Sequence, residues 1–222
     1  TNDAGLGMLT ALGYKFYQKN GSLCDIYGKN LQAVARIDTT SCHPLLKECQ
    51  FEIACDVTNP LCGPQGCSTI YGPQKGATPE IIQRMDKDID AFADLAEKAT
   101  GIKGSELPGA GAAGGLGFAF HTFLQGTLTP GIELVLKSIK IQQTMTTADI
   151  LITGEGRMDG QTAMGKAPVG IAQLAKKANP QCRTIGLCGC ATPEAEAVNK
   201  HGIDAYFPIL HAPMSVEEAM EA

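Results

Sequence analysis

Between Ile150 and Leu210 short apolar runs alternate with helical stretches, and this alternation restricts the fold more than any other feature of the chain. Ile150–Thr153 reads as a short strand, and Gly154–Arg157 as the loop after it. A helix follows over 167–178, with Pro168 near its start. Arg183–Leu187 reads as a second strand, Pro193–His201 as a second helix and Ala205–Leu210 as a third strand. Strand–helix–strand–helix–strand with short connections predicts a parallel sheet with helices packed on it, an α/β architecture. Three strands with two crossovers do not complete a doubly wound sheet, so further strands are expected from elsewhere.

Before about residue 147 the rhythm is different. A first helix is expected from near Asp3 through Met8, Leu9 and Leu12 to Gly13 as its C-cap. Phe51–Cys55 alternates like a strand ending at Asp56, and a long Pro/Gly loop runs from Asn59 to Ala77. Thr78 and Pro79 then open an amphipathic helix over 79–99, with Ile82, Met85, Ile89, Phe92 and Ala96 at helical spacing. Leu107–Gly117 is a Gly/Ala-rich loop leading into a helix through Phe118, Phe123 and Leu124. Ser215 to Glu218 forms a capping box whose helix the chain carries for about two turns. The chain opens on Thr1 with no preceding strand, and both ends read as cuts through a longer protein.

Composition narrows the function. The 222 residues are 44% apolar and 18% charged, and no run approaches the roughly 20 apolar residues of a membrane span. No basic, apolar leader opens the chain. A net charge of −5 with scattered Lys and Arg argues against a basic surface for nucleic acid. Nine cysteines, an odd number with no paired CxxC, fit neither a disulfide framework nor a structural zinc site. They read as reduced thiols of a cytoplasmic protein, most of them small core residues.

The strongest chemical signal is the run from Thr153 to Thr162, TGEGRMDGQT. It lies at the carboxyl end of an expected parallel strand, where open α/β sheets bind ligands. Glu155 and Asp159 offer hard oxygen ligands suited to Mg²⁺, and Arg157 suits the charge of a transferred phosphoryl group. The plainer alternative is a solvated Gly turn with a local Glu–Arg pair. The run from Pro108 to Gly115 contains GxGxxG, but Lys103–Pro108 before it is no strand. A cradle of backbone N–H groups from Gly109, Gly111, Gly114 and Gly115 suits it better than a dinucleotide fingerprint. Close helix packing through small residues is the bland alternative. Asp56 and Asn59 follow a strand, and Lys75 projects from a turn where its ammonium can meet phosphate oxygens. Each alone would more often be a cap or a solvated charge, and Asn2 and Asp3 can simply cap the first helix. Backbone-rich loops, isolated carboxylates, one Lys and one Arg suit phosphoryl transfer, which works by positioning and charge neutralisation.

Six blocks in order, TNDAGLGMLTALG, CDVTNPLCGP, YGPQKGATPE, LPGAGAAGGLGFAF, ITGEGRMDGQTAMGKAPVGIAQLAK and PMSVEEAM, resemble the bacterial glycerate kinases of type 1. The resemblance covers essentially the whole chain. It implies ATP-dependent, Mg²⁺-assisted phosphorylation of D-glycerate, with 2-phosphoglycerate the favoured product. It also implies an α/β domain inserted into a Rossmann/flavodoxin-like parallel-sheet domain, with the active site in the cleft between them. On that plan residues 1–147 are the inserted domain, in part, and 148–222 the returning part of the flavodoxin-like domain. The family's opening strand, its PDSFKGS-like segment, its DGGEG motif and its GGSA run have no counterpart here. The missing N-terminal segment is therefore an expected partner of this chain, which alone is expected to be inactive.

Carried over by motif position, Asp159 and Glu155 serve metal and hydroxyl activation, while Lys75 and Arg157 address phosphates. Asp56, Asn59 and Gln161 contact substrate or metal, Asn2 and Asp3 lie at the cleft edge, and the four glycines form the cradle. The partners implied are D-glycerate and ATP, with no nucleic acid and no membrane, and a homodimer is left open. A non-catalytic domain that kept the fold and a nicotinamide-dependent oxidoreductase are the competing readings.

Overall fold

The computed structural model describes residues 2–210 together with Met214 and Glu217. Of the helix expected from Ser215 to Glu218, only Glu217 is among the described residues. Two compact units divide the chain, Thr1–Gly131 and Ile132–Ala222. The helices after Gly131 pack with the second unit: Ile132 closes against Gly170, and Met145 shares a small core with Ala175 and Cys182.

In the first unit α1 (Leu6–Ala11) leads into an antiparallel pair, β1 (Lys15–Tyr17) and β2 (Arg36–Asp38). A parallel pair joins β3 (Glu52–Ala54) to β4 (Thr127–Thr129), with Ile53 opposite Leu128. Between them run α2 (Cys67–Tyr71), α3 (Pro79–Thr100) and α4 (Ala112–Leu124). The long helix α3 forms where its period and caps dictate. Thr78 Oγ1 accepts the Ile81 N–H, Pro79 takes the first position, and Gly101 adopts a left-handed C-cap at φ 76°. Its buried residues Ile89, Phe92, Ala93 and Ala96 face Leu6, Leu9, Phe16, Phe118 and Phe123 in one continuous core. There Tyr14 and Phe123 meet edge to face at 5.1 Å, and the Tyr14 hydroxyl donates to the Phe123 carbonyl at 2.8 Å.

From Ile132 onward the second unit takes in the rest of α5 (Gly131–Ser138) and α6 (Ile141–Met145). A three-stranded sheet follows, in the order β5 (Ile150–Met158), β6 (Arg183–Ala191), β7 (Ala205–Pro208). All its pairings are parallel, as the alternation predicts. After β5 come α7 (Gly160–Ala163) and α8 (Ala167–Ala178), and a 3₁₀ helix spans Pro193–His201. Met158, Val169, Ala172, Cys188, Val198 and Ile203 form a core between sheet and helices. On the other face Ile150, Ile152, Leu187 and Phe207 are exposed.

Three local expectations are corrected. Gly154–Arg157 is not a loop: β5 continues to Met158, because β6 also runs on and pairs Gly154 with Leu187 and Arg157 with Cys190. The segment from Asn59 to Ala77 is not all loop, since it contains α2 and a 3₁₀ turn at Pro73–Lys75. Burial of Cys67 and Ser68 stabilises so short a helix, where local propensity could not. The first helix starts at Leu6 rather than near Asp3, since Ala4 and Gly5 are left-handed at φ 47° and 75°. The helix expected over Pro193–His201 is present with those bounds, in the 3₁₀ form. All nine cysteines are free. Among the described residues no helix is long and apolar enough to cross a membrane.

Candidate active site

In the first unit the chemistry gathers around Asn2. Its side chain is buried and bridges two partners: Nδ2 donates to Ser68 Oγ at 3.1 Å, and Oδ1 accepts from Lys75 Nζ at 3.3 Å. Lys75 ends the 3₁₀ turn that follows α2, so the α2 region supplies both contacts. Asn2 and Lys75 line a surface pocket of about 460 Å³ with Gly72, Gly76, Ala77, Ile81 and Met85. One cation, one amide and two apolar walls can orient an anionic ligand through its charge and hold its carbon skeleton. Asp3 shapes the entry to this turn, its carboxylate accepting the Gly5 N–H at 2.9 Å.

Asn59 and Asp56 are held by other groups. Asn59 accepts from the Tyr71 hydroxyl at 2.7 Å and donates to the Gln65 carbonyl at 2.8 Å. Exposed Asp56 accepts the Gly131 N–H at 2.8 Å, at the first residue of α5.

The glycine run is buried, and its small residues are demanded by packing. A Cβ on Gly111 would stand 2.4 Å from the Pro60 carbonyl oxygen, and one on Gly109 would stand 2.7 Å from Cys55 Sγ. Ala113, Gly114 and Gly115 are left-handed (φ 50°, 72° and 91°), which turns the chain sharply before the helical run through Phe118. The Gly114 carbonyl receives the Ala4 N–H at 3.1 Å, and a Cβ on Gly115 would crowd Ala4. The loop thus clamps the turn that carries Asn2 and Asp3. The Gly111 N–H donates to the Asn59 carbonyl at 3.0 Å, so that amide is committed within the fold rather than offered to a phosphate. The element directly before the loop is the α3 helix and not a strand, which removes the context a dinucleotide fingerprint requires.

In the second unit the end of β5 and the start of α7 bring Glu155, Arg157, Asp159 and Gln161 together. Asp159 is the N-cap of α7: its Oδ1 accepts the N–H groups of Gln161 and Thr162 at 2.9 and 3.3 Å. Thr162 completes the capping box, its hydroxyl oxygen accepting the Asp159 N–H at 3.1 Å. The same hydroxyl donates to Glu155 Oε1 at 2.5 Å. Arg157 Nε lies 3.8 Å from Asp159 Oδ2, and Lys166 Nζ 4.0 Å from Oδ1. These are loose, exposed pairs of small energy, so both cations are available to an incoming anion.

Among the described residues no three His, Cys, Asp or Glu side chains converge as a metal-binding group. Glu155 and Asp159, both tied to Thr162, nevertheless fit the way Mg²⁺ is commonly held, by one or two carboxylates together with substrate phosphates. Sequence reasoning missed Ser68, Thr162 and Lys166. Nothing local marks Ser68, whereas Thr162 stands three residues after Asp159 in capping-box spacing, a readable signal.

Residues 1–222 match the Glycerate kinase family. The chain is 42% identical to the glycerate kinase of Bacillus subtilis (strain 168), covering 100% of this chain and 57% of the relative. It is 41% identical to the glycerate 2-kinase of Escherichia coli (strain K12), over 99% of this chain and 57% of the relative. A crystal structure from Salmonella typhimurium LT2, assigned as a glycerate kinase 2, superposes with a TM-score of 0.82 at 40% identity, covering 100% of this chain and 57% of that one. The chain therefore spans a little over half the length of the relatives it matches. With a family match spanning residues 1–222, and with relatives at 40% identity or more in both sequence and structure, the chain belongs to the glycerate kinase family.

Proposed function

We propose that this chain is part of an ATP-dependent kinase that phosphorylates a hydroxyl of D-glycerate, the 2-hydroxyl being favoured. The observation that carries the reading is the family match over residues 1–222, which takes in both polar clusters. The name of the Escherichia coli relative, a glycerate 2-kinase, favours the 2-hydroxyl.

In this reading Lys75, oriented by Asn2, binds an anionic group of a substrate over the apolar walls of Ile81 and Met85. Arg157 and Lys166 flank Asp159 and neutralise charge on the transferred phosphoryl group. Asp159 and Glu155 address the acceptor hydroxyl, and Gln161 contributes an exposed amide beside them. Asp3, Asp56 and Asn59 shape the loops around substrate. Gly109, Gly114 and Gly115 act through backbone shape, as the clamp on the Asn2 turn. Mg²⁺ bound by Glu155, Asp159 and phosphate oxygens would supply further charge neutralisation.

The test is a coupled assay of ADP release with D-glycerate and Mg-ATP, run in parallel on this chain and on the full-length polypeptide. Phosphorus NMR of the product identifies the hydroxyl. Turnover is expected in the full-length protein, with Asp159→Ala lowering it about 100-fold or more. Loss of less than tenfold would remove Asp159 from the reaction, and a silent full-length protein would leave a non-catalytic domain as the better reading.

A further inference from the structure

We propose that Thr162 is a positioning residue for the phosphoryl-transfer site, holding Glu155 and Asp159 in a fixed relation. The inference rests on the proposed kinase activity and adds to it a residue that touches no substrate.

A threonine hydroxyl has one proton to donate and two lone pairs to receive. At Thr162 the proton goes to Glu155 Oε1 on β5, and a lone pair receives the Asp159 N–H, while the Thr162 amide reaches the Asp159 carboxylate. A capping box explains the exchange with Asp159 alone. Glu155 lies outside that box, seven residues away on the preceding strand, and its contact sets the carboxylate relative to the helix start. Thr162 is fully buried, so it holds its rotamer and cannot swing to solvent. One hydroxyl thereby couples the strand end to the helix cap, which is how a supporting shell keeps reacting groups in geometry.

Thr184 supplies the matched comparison. It is fully buried in the same unit, and its hydroxyl donates to the Gly202 carbonyl and contacts Asp204, away from Glu155 and Asp159. Removing either hydroxyl with a volume-preserving Val deletes a buried hydrogen bond. Only Thr162 should change the chemistry.

The experiment uses the full-length polypeptide with D-glycerate and Mg-ATP, comparing Thr162→Val, Thr162→Ser and Thr184→Val by steady-state kinetics and by thermal midpoint. Thr162→Val is expected to lower kcat by about 10- to 100-fold, the range typical of supporting residues. KM for both substrates should stay within about threefold, because the groups that bind them are not removed. Thr162→Ser keeps the hydroxyl and should recover kcat to within about fivefold of the parent. Thr184→Val should lower the thermal midpoint and leave kcat unchanged. Thr162→Val turning over at the parent rate, or failing to be rescued by Ser in a protein of parental thermal midpoint, would overturn the role of Thr162 while the kinase reading stands. No turnover in the parent protein overturns both together.

Discussion

The two units bury their aromatic residues in opposite ways. Phe92 in the first unit is fully buried, with the rings of Phe16 on β1 and Phe123 on α4 at 5.9 and 6.4 Å. Phe207 in the second stands on the sheet face opposite the helices and is 54% exposed, beside exposed Leu187 and Ile152. Strands of a parallel sheet are ordinarily covered on both faces. The first unit draws its stability from a filled core. The second draws it from one helical layer and from backbone pairing along three strands.

Truncating these two rings sharpens the contrast most. Phe92→Ala is expected to cost about 3–5 kcal/mol, since it opens a cavity in a closed core. Phe207→Ala in this chain should cost about 1 kcal/mol or less, since much of the ring is already in water. Urea unfolding followed by circular dichroism measures both, and amide exchange assigns the loss to α3 and α4 or to β7. Equal costs would break the comparison.

A smaller effect is expected from a buried carboxylate of the first unit. Burial alone would raise the Glu97 pKa, but the N–H groups of Gly104 and Ser105 and the Lys103 ammonium outweigh it and hold the group at about 2. The unfolded chain titrates near about 4.3, so the folded form favours the ionised group. Its contribution is complete above that pH and disappears as pH falls through about 2. Glu97→Gln should therefore cost about 1–3 kcal/mol at pH 7 and almost nothing at the acid end of a pH series of urea midpoints. A parallel offset across all pH values would contradict the titration.

The second unit's counterpart is the weakest. Lys176 Nζ reaches Asp204 Oδ2 at 2.7 Å, and this contact is the chief reason the Asp204 carboxyl sits below its ordinary value. Both side chains are partly exposed, so Lys176→Met should cost only about 0.5 kcal/mol by the same urea measurement, and less in high salt.

What could be read without coordinates follows the same division. The α3 helix was legible to within a residue at its end, because Thr78, Pro79 and a 3.6-residue apolar period are all local signals. The order of strands and helices from 150 to 208 was legible for the same reason. The extension of β5 through Gly154 and Gly156 was not, since glycine has little strand preference and the pairing that keeps it extended comes from β6. The pairs β1–β2 and β3–β4 escaped as complete features because three-residue strands carry too little periodicity. At the candidate site, residue types were legible while partners were not. Lys75 was singled out, but its neighbour Asn2 is 73 positions away, and only the fold joins them. The glycine run reads as a ligand cradle from its spacing alone, and its part in fixing the turn beside Asn2, through the Gly114 carbonyl and the close approach of Gly115 to Ala4, is visible only in the fold.

The short parallel pair β3–β4 has a kinetic consequence. Glu52 meets Thr127 only after α2, α3 and α4 have been laid down between them, so the pair closes a long loop for three residues of ladder on each side. Loop closure of that kind is entropically costly and is rewarded late. The α3 helix, with local contacts and both caps encoded beside it, can form first and offer Phe92 as a docking point. The order of assembly is then helix before sheet, and refolding of the first unit should be paced by the arrival of residues 127–129 rather than by the helices that separate the two strands.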